Sequence, residues 1–364
     1  MKSKTSSNQS RVILLVGGGT GWHVFPLLNL FQYIQKNTIA SSENFSEISF
    51  RWVGESNSIE SRLAGTHEIP FSAIICGKLR RYFSLKTFLV PFQILIGTVQ
   101  SVVIILDEKP SAIFSKGGYV SLPIAIAGWL LRVPVYLHES DSVPGLANRL
   151  VACFATGIFI TFPEANSYFE AKKIKWYGML LSPDIQKILS KPVKHFTKTQ
   201  LLINCGSQGS SRVFDTLLEM LRNGESALET IDVHLVLGTK NADYRTQFEW
   251  FPSVRIYDFF YSQKEYLELV HDCDIVITRS SSSIFEFEAL WLHMILVPLP
   301  ESGNNHQYHN AKIFEKKGHE CILQENLTKE LPWVLGKYEN YKKSANISPI
   351  NLSIYEQITQ KLMQ

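Results

Sequence analysis

Residues 11–23 read RVILLVGGGTGWH: a short apolar run with β-branched residues, a glycine stretch around Thr20, then the entry to a second apolar stretch at 25–33. This is the pattern of strand, glycine loop and helix. The glycine spacing does not match the dinucleotide fingerprint, and no Lys-Ser or Lys-Thr follows as in a P-loop. Strand-sized runs recur at 48–53, 112–115, 134–137 and 157–160, with helix-length segments between them. Such alternation predicts a parallel sheet with helices on both faces. A second series starts at 200–204 (QLLIN), followed by a glycine turn at 206–209 (GSQG) and a helix-like segment from Arg212, with further strands at 233–237, 254–257, 274–278 and 294–298. The prediction is an α/β protein of two doubly wound Rossmann-like domains facing across a cleft. The first covers 1–180, a linker rich in Ser, Pro and Lys covers 181–199, and the second covers 200–345; residues 346–364 form a C-terminal helix that packs back on the first domain.

A length of 364 residues suits two domains, each able to bury a core. With 45% apolar and 19% charged residues the chain is neither disordered nor multi-spanning. A net charge of +3 is too small an excess to imply nucleic acid, so an anionic partner must be met by a local cluster. The cysteines Cys76, Cys153, Cys205, Cys273 and Cys321 are odd in number and form no C-x-x-C pair, which fits a reducing compartment. The opening MKSKTSSNQS lacks the features of a signal peptide, and the expected location is cytoplasmic. Residues 88–106 are apolar over about the length of a bilayer span. Pro91, Gln93, Gly97, Gln100 and Ser101 interrupt them, so the expectation is a helix buried in the fold or resting on a membrane.

The first glycine loop offers backbone N–H groups and a helix N-terminus to a phosphate, or is an ordinary steric turn. His23 opens the helix that follows, where the dipole favours neutral imidazole; it reads as a base or as a capping residue. The second loop, 206–210 (GSQGS), adds the Ser207 hydroxyl and the Gln208 amide and would suit a diphosphate. Glu286, after the serine-rich stretch 279–283, could accept two hydrogen bonds from a ribose diol or be a solvated helix glutamate. His306, Gln307, Asn310 and Ala311 (HQYHNA) could read sugar hydroxyls or simply start a helix. Lys78, Arg80, Arg81, Tyr82, Phe83, Lys86 and Phe88 mix cations with aromatics as an anionic lipid surface requires, or form a charged turn before a core helix.

In order along the chain, GGGTGWH, GKLRRYFS, FSKGGYVSLP, HESD-x-x-PGLANR, CGSQGS, the segment 279–286 and HQYHNA resemble the MurG family over nearly the whole length. That resemblance implies a GT-B fold, no required metal or cofactor, and an inverting transfer of N-acetylglucosamine from UDP-N-acetylglucosamine to the C4 hydroxyl of lipid I, giving lipid II for peptidoglycan. It implies an undecaprenyl-diphosphate-linked acceptor, an anionic membrane surface met through Arg80, Arg81, Phe83 and Lys86, no nucleic acid, and a peripheral place on the inner face of the cell membrane. By the same resemblance Thr20, Gly21, Gly117, Gly118, Tyr119 and Asn148 stand on the acceptor side. His23 is the base, with His138 or Glu139 as alternatives. Ser207 and Gln208 meet the UDP diphosphate, Glu286 the ribose, the Ile284 backbone the uracil, and Gln307 the hydroxyls of the transferred sugar. The two glycine loops would then hold the two diphosphates.

The chain departs from the family in places. Trp22 replaces a second glycine, and a backbone needing positive φ there would be strained by about 1 kcal/mol. Ser182 replaces an arginine, and the 279–286 loop is one residue short with Ser281 in place of glycine. The alternatives are a glycolipid-forming transferase with another lipid acceptor and a non-catalytic scaffold.

Overall fold

Strand β1 (Arg11–Gly17) is buried on both faces, with Ile13, Leu14, Leu15 and Val16 wholly inaccessible, as a central strand of a parallel sheet must be. The computed structural model describes residues 11–19, 21–40, 48–77, 88–194, 196–260, 262–300, 302–343 and 353–363. The chain divides into two units, residues 1–180 with 351–364, and residues 181–350.

In the first unit β1 is followed by α1 (Gly21–Ala40), β2 (Ile48–Gly54), α2 (Ile59–Thr66), β3 (Phe71–Ala73), α3 (Val90–Glu108), β4 (Ala112–Gly117), α4 (Ser121–Leu130), β5 (Val135–Glu139), α5 (Leu146–Phe154), β6 (Gly157–Ile160) and β7 (Ile174–Tyr177). All pairings are parallel and the strand order is β3-β2-β1-β4-β5-β6-β7.

The second unit holds α6 (Ile185–Leu189), β8 (Thr199–Asn204), α7 (Ser211–Arg222), β9 (Ile231–Val236), α8 (Arg245–Phe248), β10 (Val254–Tyr257), α9 (Gln263–Asp272), β11 (Ile275–Thr278), α10 (Ile284–Ala289), β12 (His293–Leu296), α11 (His306–Glu315), β13 (Glu320–Cys321) and α12 (Leu327–Gly336). Its order is β10-β9-β8-β11-β12-β13, the same winding as the first. In each sheet the connections change sides next to the first strand, between β1 and β4 and between β8 and β11. Crevices for ligands form at the C-terminal strand edges at such switch points. Both glycine loops leave the sheets there.

Residues 181–199 contain α6 and tie to α9 through Lys191–Glu268 and Lys194–Asp272 ion pairs, each at 2.6 Å. The last helix, α13 (Ser353–Met363), belongs to the first unit: Ile354, Tyr355, Ile358 and Leu362 join its core, and Tyr355 stacks on Tyr33 with ring centroids 4.4 Å apart.

Helix α3 is long and apolar enough, by length and composition, to cross a membrane. One narrow face, Gly97, Ser101 and Ile105 at helical spacing, is buried, and Gly97 lets the helix approach the Ile75 carbonyl where no Cβ would fit. The opposite face is bare, with Phe92, Leu95, Val99, Val103 and Leu106 each 58–65% exposed.

Candidate active site

The first glycine loop is held from below by Trp52, whose Nε1 donates to Gly17 O at 3.1 Å. Glu60, in the first turn of α2 and wholly inaccessible, comes over it from above. Its carboxylate accepts Gly19 N–H and Glu55 N–H, both at 3.2 Å, and a Cβ on Gly18 would lie 2.1 Å from its Oε1. This corrects the reading of the loop as an open phosphate cradle, because a protein carboxylate already sits on one of its donors. Gly21 is the first residue of α1, and Thr20 lies outside the described residues. Residue 22 stands in the first turn of that helix, so tryptophan in place of glycine meets ordinary helical backbone and carries no left-handed strain.

His23 Nδ1 lies 3.1 Å from Lys116 O. A carbonyl can only accept, so Nδ1 carries a proton, and in the neutral ring the lone pair is on Nε2. That Nε2 faces Gly118. The turn at Gly117 and Gly118 has φ of +89° and +84°, and a Cβ on Gly117 would fall 1.9 Å from Asn148 Oδ1, so glycine is required on two counts. Asn148 Oδ1 accepts Gly118 N–H at 3.0 Å, and its Nδ2 donates to Glu139 Oε2 at 2.8 Å. Glu139 Oε1 accepts Asp141 N–H at 2.8 Å. Tyr119 lies over Gly19 and donates its hydroxyl to Glu55 at 2.6 Å. The structure therefore brings His23, Gly117, Gly118, Tyr119 and Asn148 together.

The two alternative bases are differently employed. His138 is wholly inaccessible, donates from Nε2 to Gly178 O at 3.0 Å, and is pushed by burial down to about 3, so it is neutral framework. Glu139 is buried with both oxygens accepting bonds.

In the second unit, Gly206 and Gly209 have φ of +85° and +72°. A Cβ on Gly209 would meet Leu237 O at 2.0 Å, and one on Gly238 would meet Gly209 N at 2.7 Å, so the loop after β9 is pressed glycine to glycine onto the 206–210 loop. Thr239 donates from its N–H (2.8 Å) and hydroxyl (3.0 Å) to Ser207 O, and Lys240 Nζ donates to Gln208 Oε1 at 3.0 Å. Behind the loop, Arg279 reaches Ser210 Oγ and Gln324 Oε1 at 2.7 Å and Val297 O at 2.9 Å. The loop thus has one buried and one exposed cation beside it.

Glu286 is half-buried in the first turn of α10, 3.5 Å from Gln263 Nε2, and burial raises its carboxyl to about 7. Gln307 caps Leu299 N–H with its Oε1 at 2.9 Å, which leaves Nε2 as the donor for a ligand. It follows two asparagines in left-handed conformation, Asn304 and Asn305. Two residues serve the framework instead. The Ile284 side chain is inaccessible and its N–H is bonded to Ser281 O at 3.1 Å, so that N–H is not open to a base. Asn310 is buried and donates to Ser280 O at 3.1 Å, holding the serine loop. Arg80, Arg81, Phe83 and Lys86 lie outside the described residues.

Glu60, Lys116 and Lys240 were not singled out from sequence. Lys116 and Lys240 each adjoin a glycine or a glycine-bearing turn, a weak signal; Glu60 depends on a contact 41 residues away. Among the described residues no three His, Cys, Asp or Glu side chains form a metal-binding group. A cavity of 530 Å³ lined by Trp129, Arg132, Pro134 and Phe154 opens at the N-terminal ends of β5 and β6, away from the glycine loops.

Two family models match the chain: the glycosyltransferase family 28 N-terminal domain over residues 13–160 and the glycosyltransferase family 28 C-terminal domain over residues 200–349. A Bacillus anthracis protein named UDP-N-acetylglucosamine--N-acetylmuramyl-(pentapeptide) pyrophosphoryl-undecaprenol N-acetylglucosamine transferase 2 is 35% identical over 320 residues, 86% of either chain. The transferase of that name from Clostridium novyi is 33% identical over 358 residues, 93% of this chain and 94% of its own. Among solved structures, MurG of Acinetobacter baumannii superposes with a TM-score of 0.66 at 22% identity, covering 97% of this chain and 95% of that one, a likeness of fold.

Proposed function

Because the chain belongs to the MurG family of family 28 glycosyltransferases, we propose that it transfers N-acetylglucosamine from UDP-N-acetylglucosamine to the C4 hydroxyl of the N-acetylmuramyl unit of lipid I, producing lipid II and UDP with inversion at the anomeric carbon. The observation that carries this reading is the match to the named transferases across both domains and nearly the full length.

The first unit holds the acceptor and the second the donor. His23 Nε2 takes the proton of the C4 hydroxyl as its oxygen attacks the anomeric carbon, and the bond to the β-phosphate oxygen breaks. Negative charge then grows on the departing diphosphate. Backbone donors of the 206–210 loop, the Ser207 hydroxyl and Lys240 are placed to meet it, which supports assigning the diphosphate to that loop. Glu286 accepts from the ribose diol, and Gln307 Nε2 donates to the sugar.

The acceptor is anchored in lipid, so the enzyme works as a cytoplasmic protein peripheral on the inner membrane face. The bare face of α3, which continues the basic and aromatic stretch 78–88, supports a docking role for this part of the first unit. The decisive experiment incubates the purified protein with labelled UDP-N-acetylglucosamine and either a soluble lipid I analogue or diacylglycerol. Disaccharide product from the first and none from the second is expected. Label transferred to diacylglycerol alone, or donor binding without transfer to any acceptor, refutes the reading.

A further inference from the structure

Lys116 stands near the end of β4, just before the two glycines, and is 1% exposed. Its ammonium donates to Ser140 Oγ at 2.8 Å, and the charges that act on it are those of Glu139 and Asp141 on either side of that serine. Burial pulls the lysine below its ordinary value, and the two carboxylates work against that. The same field acts on Glu139. Burial and Asp141 raise its carboxyl above the ordinary carboxylate range, and among the influences that oppose this Lys116 is the largest, ahead of the bonds from Asp141 N–H and the Asn148 amide. Two histidines are also titratable neighbours: His138 is kept neutral by burial and by Lys116 itself, and the ring of His23 is bonded to the Lys116 carbonyl.

The ionisation of Glu139 decides how Asn148 faces. A carboxylate can only accept, so the asparagine must offer it Nδ2, and Oδ1 is then turned to Gly118 N–H. A protonated Glu139 can donate, which favours the flipped amide; Gly118 N–H would then face an NH₂ group and the turn would lose its anchor.

We propose that Lys116 is a positioning residue for the transfer: its buried ammonium keeps Glu139 an anion, the anion fixes the Asn148 amide, and the amide holds the Gly117–Gly118 turn beside His23. This rests on the reading of that turn as part of the acceptor side.

Lys116→Met keeps an unbranched side chain one atom shorter and removes the charge. kcat/KM for a soluble lipid I analogue at saturating donor is measured from pH 6 to 9 for the wild type, Lys116→Met, Glu139→Gln and the double variant. In Lys116→Met the acidic limb of the profile moves up by about one pH unit, giving a loss that approaches tenfold at the acid end of the range and closes toward pH 9. Donor KM stays unchanged. On the Glu139→Gln background the lysine substitution adds nothing, because no acid remains to protonate. A loss equal at every pH, or one of the same size on both backgrounds, overturns the proposal. Should the single variant fail to fold, the double variant against Glu139→Gln decides, and a further fall there overturns it. Asn148→Ala tests the underlying reading separately. If it changes donor KM and spares acceptor use, the turn is not on the acceptor side. If it lowers acceptor use while Lys116→Met does not, the turn is placed correctly and the lysine has no positioning role.

Discussion

Donor binding should depend on pH through one residue, Glu286, whose carboxyl burial raises to about 7. At pH 7 close to half of the free protein therefore carries the neutral acid. A ribose diol donates two hydrogen bonds, which the carboxylate accepts with both oxygens and the acid cannot. If only the ionised form binds, the apparent Kd is the intrinsic value multiplied by 1 + 10^(7 − pH), about 1.1 at pH 8, 2 at pH 7 and 11 at pH 6. Affinity for UDP-N-acetylglucosamine is then expected to fall about tenfold from pH 8 to pH 6, or ~1.4 kcal/mol. Titration calorimetry without acceptor measures this, and the sugar nucleotide is the right ligand because UDP itself titrates in the range. At pH 7 binding should release about half a proton, visible as a dependence of heat on buffer ionisation enthalpy. Glu286→Gln should bind more weakly and with no pH dependence. A flat wild-type profile, or a slope that survives in the glutamine variant, refutes the reasoning. Stability follows the same ionisation with opposite consequence. The folded carboxyl lies above its unfolded value, so its contribution is fully present in acid and is lost as pH rises through about 7. Glu286→Gln should therefore raise Tm more at pH 8 than at pH 5.

His23→Ala should lower kcat by roughly 100-fold or more with little change in Tm, since the bond from Nδ1 to Lys116 O orients the ring with Nε2 toward the Gly118 turn; retained activity with lowered stability would make it a structural residue. Gly117→Ala should cost about 3 kcal/mol, summing left-handed strain and the loss of Asn148 from its two bonds, and an unchanged denaturation midpoint would contradict the geometry. Leu95→Asp with Val99→Asp should cut sedimentation with anionic vesicles about tenfold at unaltered circular dichroism, and vesicle binding equal to wild type would place the docking surface elsewhere.

Much of the fold was legible because its central strands are continuous apolar runs: β1, β4, β5, β8 and β11 are buried on both faces and announce themselves. The edge strands β3, β7 and β13 were missed. At three, four and two residues they are too short to carry a period, and only their neighbours define them. In the site, glycines and the side chains next to them were readable, since a glycine that must be glycine leaves a motif. What supports them was not. Glu139 looked like a candidate base and instead orients Asn148; Lys116 looked like part of a motif and is a buried charge. Both stand at the C-terminal ends of adjacent strands, and an ammonium and a carboxylate closing two neighbouring apolar runs is the signal that could have found them.

The two glycine loops show where likeness of sequence misleads. Each follows the first strand of a doubly wound sheet and opens a helix, and on backbone alone each is a phosphate cradle. Side chains from elsewhere reverse one of them. The loop at 206–210 is met by Lys240 and Arg279, so a diphosphate gains two favourable charges; Gly206 N–H and Gly209 N–H are bonded to Asn204 Oδ1 and Gly206 O, and no carboxylate is bonded to the loop's described N–H groups. The loop at 17–19 is met by Glu60, which takes the Gly19 N–H and fills the space a Cβ on Gly18 would need. A diphosphate on that donor would have to displace a buried carboxylate or share its site with it. A sugar has no such conflict, because one of its hydroxyls can donate to a carboxylate while another, the reacting one, donates to His23. Charge therefore supports the proposed division, with the reacting sugar at the first loop and the leaving diphosphate at the second, where glycine spacing alone would treat them as equals.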